Sequence, residues 1–135
     1  MTKKDLKVTD LMIGDWVNFN GTFDKVKEIL FVDKPKHLGY CASFAASATL
    51  FPVQLDKITP IKVTQEFLEK NLTMSTDYMG NKYFIDDKCI FFIRFNQICM
   101  KTNDMNHELV ICNCDYVHEL QHFIKQLHIE KDIEL

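Results

Sequence analysis

The clearest periodic pattern in the chain lies near its C-terminus, in residues 115–127. Asp115 can cap the first turn of a helix there, because its carboxylate can accept from free backbone N–H groups. Apolar side chains follow at i, i+4, i+7, i+8 and i+11, namely Tyr116, Leu120, Phe123, Ile124 and Leu127. This spacing forms one stripe on a helix of 3.6 residues per turn. The pattern therefore predicts an amphipathic helix in which Tyr116, Leu120, Phe123 and Leu127 are structural.

Short strands separated by turn signals are predicted for the first 60 residues. Asn20-Gly21 is the strongest signal, because both residues tolerate the positive φ angles of a type I′ hairpin turn. Gly14-Asp15 marks an earlier bend, and Thr22–Val32 is predicted as a strand. Gln54–Ile58 is predicted as another strand, which stops before Pro60. We expect an SH3-like small β-barrel over residues 1–60.

The part of the chain between these strands gives weaker signals. Asp33–Leu38 contains Pro35 and is expected to be a loop. Gly39–Val53 is rich in Ala and Ser and could hold a strand and a loose connection. The pattern assigns no firm structure to Asp33–Phe51 as a whole.

Residues 61–135 are predicted to hold a helix and an antiparallel sheet. Thr64 can cap a short helix over Gln65–Asn71 that buries Phe67 and Leu68. Asn71–Gly80 is polar and turn-rich. Four strands of a meander would follow: Lys82–Ile85, Cys89–Phe95, Gln97–Lys101 and His107–Cys112. The C-terminal helix would cover one face of this sheet, and residues 129–135 would add a tail or an edge strand. The expected fold class is α+β, with the two halves forming one compact unit.

The C-terminal helix also contains His118-Glu119-Leu120-Gln121-His122, which fits the H-E-x-x-H pattern of zinc hydrolases. In that pattern two histidines on one helix face bind zinc, and the glutamate acts as general base. His128 lies where a third ligand could follow, but Lys125 replaces the glycine that would turn the chain. At about 100° per residue, His118 and His122 project opposite the apolar stripe. A solvated helix face is the favoured interpretation, and a hydrolase with Glu119 as its base is the alternative.

Composition indicates a soluble folded protein without an implied cofactor. The 135 residues are 47% hydrophobic and 26% charged. No apolar run approaches the ~20 residues of a membrane span, and the N-terminus lacks the apolar segment of a signal peptide. The five cysteines form no C-x-x-C pair, which predicts reduced thiols and a cytoplasmic location. Cys112 and Cys114 could form a metal pair with His118, but half-buried strand residues are the favoured interpretation.

Nucleic-acid binding by the barrel is the weakest alternative. The N-terminal half carries a modest basic cluster of Lys3, Lys4, Lys7, Lys25 and Lys27, and acidic residues are interleaved with it. The net charge of −3 gives no general attraction to phosphates.

Aromatic residues of the first half suggest a binding role instead. Trp16, Phe19, Phe23 and Tyr40 are the side chains most able to form a groove for a protein partner. The competing interpretation of Trp16 is that it belongs to the core. An isolated C-terminal strand and a hydrophobic meander also make a homodimer conceivable.

Three motifs resemble a family of small Bacteroidetes proteins of unknown function that are found in phages and mobile elements. They are L-x-I-G-D-W-V at Leu11–Val17, P-I-x-V-T-x-E-x-L-x-x-N within Thr59–Asn71, and Y-V-H-x-L-Q at Tyr116–Gln121. The resemblance spans nearly the whole chain in the same order. It implies Gln in relatives at the position of Glu119, which counts against zinc chemistry. It implies a phage or mobile-element context but no activity. We predict a non-catalytic protein-interaction module, and this context suggests that it modulates a protein of a bacterial host.

Overall fold

The computed structural model describes residues 10–32, 39–44 and 53–135. The chain divides into two compact units, Met1–Ile61 and Lys62–Leu135. Within these ranges each unit holds one five-stranded antiparallel sheet, and the two α-helices belong to the second unit. This combination confirms the predicted α+β class. No helix in the described ranges is long and apolar enough to cross a membrane.

The first unit is a meander of four strands followed by a fifth strand that returns to the first. Its elements are β1 Trp16–Phe19, β2 Thr22–Val32, β3 Gly39–Phe44, β4 Val53–Gln54, a 3-10 helix Leu55–Lys57 and β5 Ile58–Pro60. The strands pair in the order β4-β3-β2-β1-β5. Within the described residues β4 and β5 are the two edges, so these strands form an open sheet and not a closed barrel.

Two turns of the first unit lie where the sequence predicts them. Asn20 has a φ of 53° and Gly21 a φ of 81°, which confirms the two-residue turn between β1 and β2. Gly14 has a φ of 95°, and its N–H donates to the carbonyl of Val26 at 2.7 Å. The predicted bend therefore brings the chain alongside β2 before β1 begins.

The core of the first unit lies on one face of its sheet. It consists of Leu11, Val17, Val26, Ala42, Phe44, Leu55 and Ile58. Phe19, Ile29 and Val53 pack against its margin. Because side chains alternate along a strand, Trp16 projects from the face opposite that of Val17.

The predicted strand over Gln54–Ile58 is wrong. Most of that segment is the 3-10 helix, and Pro60 belongs to β5. Proline is tolerated in β5 because an edge strand has one side without ladder hydrogen bonds, where a missing N–H costs little. The predicted loop Asp33–Leu38, most of Gly39–Val53 and the first three lysines of the basic cluster lie outside the described residues.

The second unit is a sheet with two helices. Its elements are α1 Gln65–Asn71, β6 Thr73–Asp77, β7 Gly80–Phe84, β8 Phe91–Arg94, β9 Gln97–Met100, β10 Leu109–Asn113 and α2 Val117–Gln126. The strands pair in sequence order from β10 to β6, which confirms the predicted meander. β6 was not predicted. It is an edge strand of polar, mostly exposed residues, so it lacks the apolar alternation that marks a strand.

The first helix of this unit matches its prediction. Thr64 Oγ1 accepts from the backbone N–H of Phe67 at 3.2 Å and caps α1. Phe67 and Leu68 are buried, as expected. The helix is therefore specified locally by its cap and by two apolar side chains.

The second helix is shorter than predicted. It begins at Val117 with Tyr116 as its N-cap, so the assignment of Asp115 as the cap is wrong. Leu120 and Ile124 of the predicted stripe are buried, whereas Leu127 lies just beyond the helix and is exposed. Only the central residues of the predicted stripe are therefore fully buried.

The helices lie against one face of the second sheet. On that face Phe91 of β8 meets Phe123 of α2 edge to face, with ring centroids 5.5 Å apart. Side chains alternate between the two faces of a strand. Phe92 and Arg94 of β8 therefore project from the same face of the sheet, and Phe91 projects from the other. We call the side that bears Phe92 and Arg94 the open face.

β10 forms one edge of the second sheet. All five of its residues are exposed and none is charged. Its register against β9 shifts between Val110 and Cys112, so Ile111 is an extra residue without a direct partner on β9. This is a β-bulge in an apolar edge strand.

Candidate functional site

The HELQH segment is not a fully solvated helix face. His118 is only 2% exposed. Its ring stacks on Tyr116 at 6.0 Å and meets the edge of the His122 ring at 5.5 Å. The prediction that His118 faces solvent is therefore wrong. Periodicity shows which side of a helix carries the apolar stripe, but neighbouring rings can cover the other side as well.

Glu119 has a structural partner at the start of α2. Its Oε1 accepts from the backbone N–H of Tyr116 at 3.0 Å and of Asp115 at 3.3 Å. A glutamate in the first turn that reaches back to the N-cap backbone satisfies donors that the helix itself leaves unpaired. Glu119 thus acts as a helix cap in this structure.

The metal candidates do not form a ligand cluster. In the described part of the chain, no group of three His, Cys, Asp or Glu side chains could hold a metal ion. Cys112 is exposed on β10, whereas Cys114 is fully buried. Burial raises the pKa of the Cys114 thiol to about 12, and a protonated thiol is a poor metal ligand.

Two of the four predicted aromatic binding residues lie together in the first unit. Trp16 and Phe23 share the outer face of the β1–β2 hairpin, where Trp16 pairs with Lys25 and Phe23 pairs with Asn18. The Lys25 ammonium lies 5.1 Å from the Trp16 ring centroid. Trp16 is partly exposed and Phe23 is half-exposed.

The other two aromatic residues lie elsewhere. Phe19 packs on the core side and stacks on Phe44 at 5.6 Å. Tyr40 meets Phe31 edge to face at 5.2 Å, and both rings are largely exposed. The four predicted residues therefore do not line a single groove.

A groove of about 390 Å³ lies on the open face of the second sheet. Residues of the β6–β7 turn, of β8 and β9, and of the segment that leads into β10 line it. Among them are Asp77, Tyr78, Arg94, Phe95, Lys101 and Glu108. We call this feature the open-face groove.

Arg94 organises the charges of the open-face groove. It is 3% exposed, and its Nη1 and Nη2 donate to the two carboxylate oxygens of Asp77 at 3.0 and 2.7 Å. Nη2 also donates to Glu108 Oε1 at 3.0 Å. Bidentate pairing fixes the orientation of the guanidinium plane. Arg94 therefore links β8 to the end of β6 and to the segment before β10.

The ion pairs hold these groups in their charged forms. The hydrogen bonds from Arg94 and from the backbone N–H of Met79 hold the pKa of the Asp77 carboxyl well below its usual range. The hydrogen bond to Asp77 raises the pKa of Arg94, although burial opposes this shift. The Lys82 ammonium lies 3.7 Å from Asp77 and adds a second cation.

Large apolar side chains form the rim of the groove. Tyr78 is 96% exposed and Met79 is half-exposed in the β6–β7 turn. Phe95 is 72% exposed in the β8–β9 turn. Each strand is antiparallel to its neighbour, so β6 and β8 run in the same direction and their two turns lie at the same end of the sheet.

Two lysines lie between this groove and a second cavity on the open face. Lys82 and Lys101 line both, and the second cavity has a volume of about 300 Å³. The Lys82 ammonium is 5.4 Å from the ring centroid of Phe84 and 5.1 Å from that of Phe92. These distances allow cation–π attraction, which holds the lysine along the sheet.

Sequence reasoning missed this site for an identifiable reason. Asp77 ends a strand that the sequence did not reveal, so its proximity to β8 could not be foreseen. One signal was present, since Arg94 is the only charged residue in the apolar run Cys89–Phe95. Arginine is seldom buried unless it is paired, so such an arginine in a strand indicates an ion pair.

A scan against protein-family models found no match for this chain, and searches of curated proteins and of solved structures found none either. A functional assignment therefore depends on the geometry of the site itself.

Proposed function

We propose that this protein is a non-catalytic protein-interaction module and that the open-face groove is its binding surface. Phe95 carries the proposal. It lies in a two-residue turn with a φ of 54°, followed by Asn96 with a φ of 57°, and its ring is 72% exposed.

The position of Phe95 is unfavourable for the isolated chain. Left-handed backbone conformations in such turns favour Asn and Gly. A bulky residue held there costs about 1–3 kcal/mol. Because most of the ring is solvated, burial within the chain offsets little of this cost. Contact of the ring with a partner protein accounts for its placement.

The composition of the groove supports the same conclusion. Tyr, Phe, Met and Arg are enriched at protein interfaces, where a few such side chains carry most of the binding energy. Tyr78, Met79 and Phe95 supply the apolar contacts, and Arg94 is already fixed by its two carboxylates. A surface that is ordered in advance loses less entropy on binding.

The two carboxylates of the groove are suited to a scaffold and not to proton transfer. A general base works best with a pKa near the operating pH. Asp77 is held far from that range by Arg94, and Glu108 is hydrogen-bonded to the same guanidinium. For the hydrolase alternative, Glu119 would have to leave the backbone N–H groups that it caps.

For the first unit we propose an SH3-like arrangement. The order β4-β3-β2-β1-β5, with a 3-10 helix between β4 and β5, supports this proposal. Trp16 and Phe23 on the outer face of the β1–β2 hairpin offer a secondary contact surface. The motif resemblance supports a phage or mobile-element origin and a host protein in the bacterial cytoplasm as the partner.

Site-specific photocrosslinking tests the proposed function. The full chain, with p-benzoylphenylalanine at position 78, is irradiated in lysate of the host bacterium. We expect one discrete adduct, whose yield falls about tenfold when Phe95→Asn is added, as for a hot-spot side chain. The same crosslinker at position 127, an exposed site just after α2, is the control. Identical adducts from positions 78 and 127, or no effect of Phe95→Asn, would contradict the proposal.

A further inference from the structure

We infer that the occupant of the open-face groove is an acidic peptide segment of the partner, with a carboxylate side chain close to an apolar one. This inference rests on the proposed function and deepens it. The observations that carry it are the charges around the groove and its apolar rim.

The charges of the groove leave room for an added carboxylate. Its lining carries the cations Lys82, Arg94 and Lys101 against the carboxylates of Asp77 and Glu108. Both carboxylates accept from Arg94, at 2.7–3.0 Å. Lys82 lies 3.7 Å from Asp77, so that carboxylate is shared between two cations. Lys101 is therefore the cation left to attract a ligand, and Lys82 adds to the positive potential beside it.

The second cavity strengthens the positive potential at this place. Lys82 and Lys101 are its charged lining residues, and no carboxylate lines it. Lys101 is exposed and forms no ion pair within the described residues. A ligand carboxylate between the two lysines would face both cavities and two cations.

Arg94 serves the groove by pairing with its two carboxylates. Nη1 and Nη2 donate to Asp77, and Nη2 also donates to Glu108. Because this guanidinium offsets the negative charge of both carboxylates, they repel an incoming carboxylate less strongly.

The apolar rim specifies what lies next to the ligand carboxylate. Tyr78, Met79 and Phe95 present their side chains at one end of the sheet, beside the groove. An aromatic or aliphatic side chain of the peptide can pack on them while its acidic neighbour reaches the lysines. The net charge of −3 and the two groove carboxylates disfavour a nucleic-acid backbone at this site.

Peptide selection followed by affinity measurement tests this inference. A display library of random short peptides is selected against the full chain, and enriched peptides are measured by fluorescence anisotropy. We expect enrichment of Asp or Glu beside Phe, Leu, Tyr or Trp. Exchange of that acidic residue for its amide should weaken binding about tenfold.

Matched lysine variants locate the carboxylate. Lys101→Met and Lys82→Met should each weaken binding of the acidic peptide about three- to fivefold and leave its amide counterpart unaffected. Lys101 forms no ion pair within the described residues, so its substitution keeps the test valid if Lys82→Met disturbs folding. Lys125→Met removes the same charge at an exposed site of the second unit that lines neither cavity and should have no effect.

The outcomes separate this inference from the proposed function. Peptides that bind equally well as acids and as amides would overturn the inference, as would selection of basic peptides or of none. If the adduct at position 78 still depended on Phe95 in that case, the proposed function would stand and its partner would have another chemistry. If the adduct also showed no such dependence, both would fail.

Discussion

The side-chain amide of Asn71 and the backbone of Glu134 exchange two hydrogen bonds of 2.7 Å each, with Nδ2 donating to the carbonyl and Oδ1 accepting from the N–H. Nδ2 also donates to the carbonyl of Phe67 at 3.0 Å. Asn71 is the last residue of α1, so its amide ties the C-terminal tail to this helix. Lys70 Nζ also donates to the carbonyl of Leu135, and Lys131 Nζ donates to the carbonyl of Asn71 at 3.5 Å. Ile133 is buried next to Glu134. The segment predicted as a tail or an edge strand is thus an ordered tail without an assigned strand.

Substitution of Asn71 should release this tail. Asn71→Ala removes three hydrogen bonds, and we expect a loss of about 1–2 kcal/mol in the free energy of unfolding. Backbone amides of residues 133–135 should exchange about tenfold faster or more. Hydrogen exchange with mass spectrometry and urea unfolding measure both effects. Asn103→Ala, at an exposed position, is the control. Unchanged exchange in the tail of Asn71→Ala would show that this amide does not hold it.

The Arg94–Asp77 pair should give stability a specific pH dependence. The hydrogen bonds from Arg94 hold the folded-state pKa of Asp77 well below its usual range. A carboxyl whose pKa is lowered by folding stabilises the fold above its unfolded pKa, and this contribution is lost as the pH falls through the folded pKa. The difference in urea midpoint between the wild type and Asp77→Asn should therefore be constant above about pH 5 and shrink below about pH 4.

Asp104→Asn provides the control for this pH dependence, since Asp104 is exposed and forms no ion pair within the described residues. It removes the same charge without breaking the contact with Arg94. A difference for Asp77→Asn that stayed equally large at about pH 2 would contradict the expected pKa of Asp77.

Glu119 variants distinguish helix capping from base catalysis. Glu119→Ala should lower the free energy of unfolding by about 1 kcal/mol, because two backbone N–H groups lose their acceptor. Glu119→Gln should stay within about 0.5 kcal/mol of the wild type, since the amide oxygen can still accept. Urea unfolding of both variants measures the effect. Equal destabilisation by Ala and Gln would mean that the carboxylate charge matters more than the cap.

The native Phe95 should support partner binding but lower the free energy of unfolding relative to an asparagine at the same position. Phe95→Asn places a residue that tolerates left-handed backbone in this turn, and we expect a gain of about 0.5–1 kcal/mol in the free energy of unfolding. Tyr78→Asn lies on the same rim without a positive φ and should change stability by less than about 0.5 kcal/mol. Thermal and urea unfolding test the pair. A loss of stability in Phe95→Asn would show that the ring packs productively within the chain.

Cysteine reactivity should follow burial. Cys89 and Cys112 are exposed, whereas Cys41, Cys99 and Cys114 are buried. Burial raises the pKa of the Cys114 thiol to about 12, so almost no thiolate is present there at neutral pH. We expect two thiols to react rapidly with a disulfide reagent in the native protein and all five to react in denaturant. Rapid reaction of Cys114 in the native state would contradict its placement.

Features that depend on neighbouring residues in the chain were predictable from the sequence. The cap at Thr64 and the turn at Asn20-Gly21 are local chemistry, in which a hydroxyl meets a free N–H or a backbone needs a positive φ. The apolar segments of the second sheet were also recognisable, because burial of one face imposes a period of two.

Features that depend on distant residues were not predictable in the same way. Strand β6 forms because β7 lies beside it, so its polar sequence gives little warning. His118 is buried although it lies opposite the apolar stripe, and the rings of Tyr116 and His122 flank it. The open-face groove was not predictable because its ion pairs join residues that are distant in the chain. Asp77 and Glu108 reach Arg94 from 17 and 14 residues away.

The bulge in β10 bears on how this protein behaves when many copies are crowded together. An uncharged apolar edge strand is a ready template for edge-to-edge pairing with a strand of another molecule. Ile111 interrupts the regular spacing of outward backbone groups, so a straight incoming strand loses its match after a few residues. We therefore expect this inserted residue to disfavour pairing between copies, in a strand that has no lysine or proline to do so.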